Sequence, residues 1–219
     1  MKKIALFSLA SVLFSFSQAQ ITSIRQLKDI KKNAEYYEAL RHLVEKYGVI
    51  GTEEKRQEYN YLPEKALTHR GFAIVMVRSL EKVEEKFKRL AYKMNEKTRD
   101  SLFQIYAKKH FKSYSDSAVK KISGYADYKD ITNSDSDHVT IKKLTNFYRI
   151  RLGDTDNTFS PDKPMTEKEL SIIFAEYFGE RSIIRRSSNA MSKRGNWAIY
   201  LDALLERLYE SVTDQATSL

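Results

Sequence analysis

The sequence contains no cysteine, and this absence limits both the ways the protein can be stabilised and the chemistry it can perform. Disulfide bonds, a catalytic thiol and thiolate-bound metals are excluded. Glycine is scarce as well, with seven residues in 219, and no glycine-rich phosphate-binding loop occurs. Stability must therefore come from an apolar core, which a chain of this length can supply.

Long apolar runs are also missing, apart from one at the start of the chain. Residues 4–16 read IALFSLASVLFSF, preceded by Lys2 and Lys3 and followed by SQA at 17–19, which puts Ser and Ala at the positions where a cleavage site has small residues. This pattern is typical of a secretory signal peptide cleaved after Ala19, and the run is too short to span a bilayer. We therefore predict an exported protein without a transmembrane segment, located in the periplasm, the outer envelope or at the cell surface.

Acidic residues are fewer than basic ones, with 29 Asp and Glu against 38 Lys and Arg and a net charge of +9. Loss of the predicted signal peptide removes two of the lysines. The remaining excess favours acidic partners. The candidates are anionic wall polymers such as cell-wall polysaccharide or peptidoglycan, and lipid headgroups. Nucleic acid is not predicted for an exported protein. A charged surface that only keeps the protein in solution explains the same numbers.

The chain carries an internal repeat. The stretches YLPEKALT at 61–68 and FSPDKPMT at 159–166 place an aromatic residue, Pro, an acid, Lys, an apolar residue and Thr in the same order. Upstream, LKDI at 27–30 matches YKDI at 128–131 with an offset three residues larger. Similarity of this extent with one internal shift indicates two copies of one supersecondary unit.

Each copy reads as a helix, a loop and a second helix. Thr68 and Thr166 are predicted N-caps of the second helices, because a threonine hydroxyl accepts a hydrogen bond from a free amide of the first turn. Glu169 completes a capping box with Thr166. These folding roles alone can explain the duplication. The first helix of the first copy is indicated by apolar residues at i, i+3, i+4 and i+7: Leu40, Leu43, Val44 and Tyr47.

A highly charged segment lies between the copies, and an amphipathic tail follows them. We predict a long helix over 69–95 and another over 98–112. The apolar pattern from Trp197 to Val212 predicts an amphipathic helix, which we interpret as the opening helix of a partial third unit. The seam of the long helix consists of residues spaced three and four apart: Leu80, Val83, Phe87, Leu90 and Met94.

Residues 128–170 resemble an S-layer homology domain. DNTFSP at 156–161 occupies the place of the family's loop, and MTEKEL at 165–170 occupies the place where its second helix starts. Asn157 stands where the family has Gly and tolerates a left-handed backbone, so we expect the turn to be kept. Other parts similar to this unit are 36–50, 61–80 and, more weakly, 196–198.

The resemblance implies an all-α fold in which repeated helix-loop-helix units of S-layer-homology type pack around a common helical core, here with an inserted long helical segment. Such domains attach exported proteins to anionic wall glycans and are not enzymes. The resemblance therefore implies a non-catalytic envelope protein without a cofactor. The predicted organisation is a signal peptide (1–19), a first repeat (20–80), an inserted segment (81–126), a second repeat (127–180) and a basic link with a C-terminal helix (181–219).

Candidate ligand contacts lie around the starts of the second helices. The family's Arg after the Thr is replaced by His69 and by Glu167 in the two copies. Arg70 and Lys168 follow one residue later. We expect such helix starts to attract anions, because free amides and the helix dipole point there. The predicted contacts with the polymer are Lys65, His69, Arg70, Asp156, Asn157, Lys163, Lys168 and Trp197.

Other sites and functions receive less support from the sequence. Asp154 and Asp156 have the spacing of a calcium loop, but Phe159 and Met165 replace its essential Gly and its bidentate Glu, so no metal is predicted. The four histidines lack ligand spacing, and no nucleophile–base pair appears, so no catalytic residue is predicted. A Trp that begins an amphipathic helix, as Trp197 does, is more often a core anchor than a sugar platform. The rival hypotheses are a helical protein–protein scaffold of the envelope and, third, a wall-active hydrolase.

Overall fold

The computed structural model describes residues 21–50, 60–92, 94–110, 128–153, 157–184 and 188–217. The predicted signal peptide, Asp154 and Asp156 lie outside these ranges. The regular secondary structure of the described residues is helical, without a strand, so the prediction of an all-α fold is confirmed. The α-helices are α1 (Tyr37–Arg41), α2 (His69–Leu90), α3 (Glu96–His110), α4 (His138–Lys142), α5 (Glu167–Tyr177) and α6 (Arg194–Thr217).

The first helices of the two repeats, α1 and α4, have the same unusual ending. Each continues directly into a π-helical segment, His42–Lys46 after α1 and Lys143–Phe147 after α4. Two residues beyond each segment lies a left-handed residue, Gly48 with φ 64° and Arg149 with φ 62°. The backbone of the repeat is therefore preserved even where the second copy has lost the glycine that suits this conformation best.

The aspartate of each repeated Lys-Asp-Ile stretch holds the turn before the second helix. Asp29 and Asp130 each accept hydrogen bonds from two consecutive backbone amides. The second amide of each pair belongs to a left-handed residue, Leu62 with φ 55° and Ser160 with φ 53°. The carboxylates thereby stabilise a backbone that L-residues rarely adopt. The N···O distances are 2.9 and 2.6 Å from Tyr61 and Leu62 to Asp29, and 2.7 Å each from Phe159 and Ser160 to Asp130.

The segments that lead into the three second helices form a closed ring. The amide of Leu67 donates to the carbonyl of Ser192, that of Ser192 to Met165, and that of Met165 to Leu67, each at 2.8 Å. Each segment thus donates one bond to a neighbour and accepts one, so the three segments have equivalent places in the ring. We call these the approach segments: 63–68, 161–166 and 188–193.

The core lies beneath this ring. The fourth residue of each second helix points into it, and Phe72, Leu170 and Trp197 are at most 1% exposed. The ring centroids of Phe72 and Trp197 lie 5.0 Å apart. The expectation that Trp197 is a core anchor is confirmed. Leu67 and Met165 precede the N-caps and are buried as well, in the positions from which a hydrophobic staple contacts Phe72 and Leu170.

The C-terminal helix has a different role from the one we expected. We interpreted the tail as the opening helix of a third unit, but Lys193 occupies in the ring the place of Thr68 and Thr166. α6 is therefore the second helix of unit 3, in register with α2 and α5. The described residues contain no first helix for this unit. An amphipathic stripe is the same in either kind of helix, so the sequence pattern could not distinguish them.

The inserted segment contributes α3 and the second half of α2. α2 ends at Leu90, earlier than predicted, and Leu90 is 43% exposed although the seam pattern placed it inside. α3 packs against both α2 and α6. Phe103 lies 5.7 Å from Phe87, centroid to centroid, and the Tyr106 hydroxyl donates to the carbonyl of Leu208 at 3.0 Å.

Transmembrane character was assessed on the helices of the described ranges. None of them combines the length and the apolar composition that a bilayer span requires.

Candidate functional site

The starts of α2 and α5 have no free amides for an anion among their first three residues. The first two amides of each helix donate to carbonyls of the neighbouring approach segment, as His69 donates to Lys163 at 3.0 Å and Arg70 to Pro161 at 2.9 Å. A threonine hydroxyl accepts from the third amide in α2 and α5. The predicted N-caps are confirmed, and they occupy, together with the neighbouring carbonyls, the amides of α2 and α5 that we expected to attract an anion. The corresponding bonds are Glu167 to Ala190, Lys168 to Ser188, Arg194 to Lys65 and Gly195 to Pro63, at 2.9–3.0 Å.

His69 is part of the junction between α2 and the second approach segment. Its side chain is only 2% exposed. The Nδ1 atom lies 2.6 Å from the carbonyl oxygen of Phe159, to which it donates, and the two rings meet edge to face at 5.8 Å. Nε2 lies 3.9 Å from the Glu169 carboxylate. His69 is therefore a structural residue of the junction, which a ligand reaches only if the junction opens.

Arg70 is occupied by carboxylates of the second unit. Its Nη1 lies 2.9 Å from Asp137, the residue before α4, and its Nε lies 3.7 Å from Asp162. Both carboxylates come from positions that sequence reasoning did not connect with Arg70. Their charge offsets that of the guanidinium, so the arginine is a poor point of attraction for polymer charge.

The three predicted lysines remain at the surface around the ring. Lys65 and Lys168 are exposed and make no ion pair with a described residue. The side chain of Lys163 is 39% exposed, and its Nζ lies 3.9 Å from Glu169. Lys65 and Lys163 occupy the same place, three residues before the N-cap, on two neighbouring approach segments. These lysines are the part of the predicted site that an external anion can reach.

The loop before the second approach segment keeps its predicted turn. Asn157 has φ 70°, and its side-chain oxygen accepts a hydrogen bond from Arg151 Nη2 at 2.8 Å. Asp156 lies outside the described residues. Trp197, by contrast, sits at 1% exposure in the core, so it presents no ring to a sugar.

Glu167 is a buried carboxylate that sequence reasoning did not single out as buried. The residue is 7% exposed, and neither carboxylate oxygen makes a hydrogen bond of regular geometry in the part of the chain that the structure describes, although the Tyr200 hydroxyl lies close enough to interact with the carboxylate. Burial, reinforced by the nearby Glu167 charge, raises the pKa of Tyr200 to about 12. This residue takes the place of the family's Arg, and its burial gives that position a different character from a cationic ligand site.

A concave surface separate from the ring lies between α2 and α3, with a volume of about 450 Å³. Acidic and basic side chains both line this surface, and they pair with one another. Lys88 Nζ lies 3.0 Å from the carboxylates of Glu84 and Asp100. Glu84 and Lys88 are four residues apart and form an ion pair along α2. Such internally paired charges give no preference for an anionic ligand. The lining residues are Glu81, Glu84, Glu85, Lys88, Arg89, Tyr92 and Arg99.

The structure thus places the predicted residues around one ring but exposes only some of them. Among the described side chains, no group of three His, Asp or Glu residues is arranged to hold a metal ion. No family model matches the chain, and no curated protein or solved structure is significantly similar to it.

Proposed function

We propose that the protein is an exported, non-catalytic module of the cell envelope that binds anionic wall polymer through S-layer-homology-like units. The polymer would be peptidoglycan or a wall-linked glycan. The observation that supports the proposal is the closed ring of three approach segments, because the sequence resemblance implies units that pack around a common core. The duplicated stretches at 61–68 and 159–166 each supply one segment of this ring.

The lysines around the ring are the contacts that this proposal now requires. Buried His69 and Trp197 and the ion-paired Arg70 are not available, whereas Lys65 and Lys168 are exposed. Binding through a few surface lysines is electrostatic and is therefore screened by salt. We expect the protein to bind the polymer at low salt and to release it at high salt.

Co-sedimentation with purified peptidoglycan sacculi tests the proposal. Replacing Lys65, Lys163 and Lys168 together by alanine is expected to lower the bound fraction at low salt strongly. The charge-matched control replaces three other exposed lysines by alanine and is expected to retain binding: Lys31, Lys32 and Lys97. An unaltered protein that does not sediment with sacculi, or an equal loss in both triple variants, would remove polymer binding at the ring.

A helical protein–protein scaffold of the envelope is the second candidate. It is favoured by the removal of Arg70, His69 and Trp197 from the polymer contacts, and by exposed apolar side chains on the inserted segment. Tyr92 is 67% and Ile105 is 56% exposed. Cross-linking in the intact envelope separates the candidates, because a defined protein partner without attached polymer is expected only for the scaffold.

A further inference from the structure

Two of the three second helices are covered by a first helix from another unit. α4 packs on α2, and α1 packs on α6. On α2 the covering helix is held at both ends of the contact, by the pair of Arg70 with Asp137 at 2.9 Å and the pair of Glu81 with Lys143 at 2.6 Å. These contacts define the side of α2 on which α4 lies.

On α6 the contacts with α1 fall at the matching positions. Gly195, which corresponds to Arg70, lies against the ring of Tyr36, and a β-carbon added there would be 2.6 Å from Cδ1. Two turns further on, Asp202, the counterpart of Val77, lies 3.0 Å from Nδ1 of His42. Glu206, the counterpart of Glu81, lies 4.0 Å from Nζ of Lys46. The two covered helices therefore use the same stripe of positions.

We call this stripe the outer face of each second helix. Its positions are three or four residues apart, so they share one side of the helix. Ala73 and Ala198, at its second position, are fully buried beneath the covering helices. The outer face consists of Arg70, Ala73, Val77 and Glu81 on α2, of Gly195, Ala198, Asp202 and Glu206 on α6, and of Lys168, Ser171 and Ala175 on α5.

The outer face of α5 is not covered in this way. Unit 3 has no first helix among the described residues, and no described helix packs on α5 as α4 packs on α2. Lys168 is exposed, and Ser171 and Ala175 are only half-buried. Ile172, next to them, is 43% exposed. α5 thus carries the same outer face as α2 and α6, but no described helix covers it.

We propose that the outer face of α5 binds a short amphipathic helix of a protein partner, in the place that α4 takes on α2. The small side chains Ser171 and Ala175 allow the close approach that the alanines of the covered faces allow. The charge at the start of the face indicates the partner's chemistry. On α2 the residue at this position, Arg70, pairs with Asp137, which precedes the covering helix. Lys168 has the equivalent position on α5, so we expect the partner helix to carry an acidic residue near its N-terminal end.

This inference goes beyond polymer binding and is tested without polymer. The probe is a fluorescent peptide of residues 132–150, which contains α4 and the preceding Asp137. Titration with the full chain, followed by fluorescence anisotropy, is expected to show saturable binding. Ser171→Arg is expected to weaken binding at least about tenfold, because a long side chain there holds the peptide backbone away.

Charge reversal tests the acidic contact. Lys168→Glu is expected to weaken binding of the peptide, and a peptide with Asp137→Lys is expected to bind this variant better than the unaltered protein. The matched control is Lys97→Glu, the same change at an exposed lysine of α3, which is expected to leave binding unchanged. Circular dichroism of each variant verifies that its helices are intact.

The absence of cysteine provides a second measurement. Ala175→Cys and Val77→Cys place single thiols at equivalent positions of the uncovered and the covered face. A maleimide is expected to label the Ala175→Cys thiol quickly, and the peptide is expected to slow this labelling. The Val77→Cys thiol is expected to react slowly in either case, because Val77 is 4% exposed under α4.

Two results would overturn the proposal. One is a peptide that shows no saturable binding, or that binds Ser171→Arg as well as the unaltered protein. The other is protection of the Ala175→Cys thiol by wall fragments but not by the peptide, because the face would then hold polymer rather than a helix.

Discussion

The second residue of each second helix shows how a single side chain shapes the junction between two units. In α2 this residue is Arg70, in α6 it is Gly195 and in α5 it is Lys168. Arg70 faces the carboxylate of Asp137, and Gly195 faces the ring of Tyr36, which leaves no room for a β-carbon. At these two junctions the residue type matches what lies opposite, so the exposed Lys168 is the exception that needs an explanation.

Gly195→Ala is expected to destabilise the protein. Alanine ordinarily stabilises a helix by up to about 1 kcal/mol relative to glycine. Here the new β-carbon would lie 2.6 Å from Cδ1 of Tyr36, and overpacking of this kind costs about 1–3 kcal/mol. The measurement is the free energy of unfolding from urea denaturation. In a Tyr36→Ala background the same substitution is expected to be stabilising, and stabilisation in both backgrounds would contradict the steric argument.

Some residues of the site could be predicted because their partners are local. The N-cap of Thr166 and its capping box with Glu169 involve residues three apart, so spacing alone is sufficient. Arg70 and His69 find partners 67 and 90 residues away in the sequence, at Asp137 and Phe159. No pattern within one helix reports such contacts, and both residues therefore looked available to a ligand when they are not.

At the scale of elements, α1 and α6 are joined by charge as well as by packing. His42 Nδ1 lies 3.0 and 3.2 Å from the two carboxylate oxygens of Asp202. Burial raises the pKa of Asp202, and the bond from His42 opposes this shift without cancelling it. The carboxylate is thus less stable in its charged form at this interface than in water.

Asp202→Asn is expected to change the pH dependence of stability. A carboxyl group with a folded pKa above its unfolded value, 3.8 here, contributes stability that is complete below pH 3.8. This contribution is lost as the pH rises through the raised pKa. The stability of the unaltered protein relative to Asp202→Asn is therefore expected to fall with rising pH above 3.8, in urea unfolding between about pH 3 and 7. Glu210→Gln, at an exposed position of the same helix, is the control, and parallel curves for Asp202→Asn and the unaltered protein would refute the expectation.

The helices themselves could be predicted more fully than their roles. Apolar periodicity and threonine caps located α2, α5 and α6 because these signals arise within each helix. The π-helical continuation of α1 and α4 left no sequence signal that we recognised. The position of α6 depends on backbone bonds from the 188–193 segment to two other segments, and backbone groups are the same in every residue. Sequence similarity could not therefore reveal that the tail supplies a second helix.

At the scale of the whole molecule, the ring unites parts of the chain that are far apart in sequence. Its three bonds join Leu67, Met165 and Ser192 in a closed cycle. Each bond helps to place a second helix against the shared core beneath. Loss of one bond is therefore expected to disturb all three helices, whereas a chain of independent units would be disturbed at one end only.

Ser192→Pro tests this closure. Proline removes the amide that donates to Met165 at 2.8 Å, and the expected loss is on the order of 3 kcal/mol of unfolding free energy. Because the cycle is shared, hydrogen exchange is expected to accelerate at the amides of Leu67 and Met165 as well. The serine hydroxyl is buried without a hydrogen-bond partner among the described residues, so Ser192→Ala, which keeps the amide, is expected to be nearly neutral.

The second control for Ser192→Pro is Asn189→Pro, which introduces proline into the same approach segment but leaves the ring amides in place. It is expected to cost less stability and to leave exchange at Leu67 and Met165 unchanged. If Ser192→Pro accelerated exchange only within α6, the three segments would be neighbours rather than a cooperative ring. The two patterns differ because loss of the Ser192 amide leaves the carbonyl of Met165 without its donor, and the amide of Met165 in turn donates to Leu67. In a cooperative ring the disturbance therefore reaches both of the other segments.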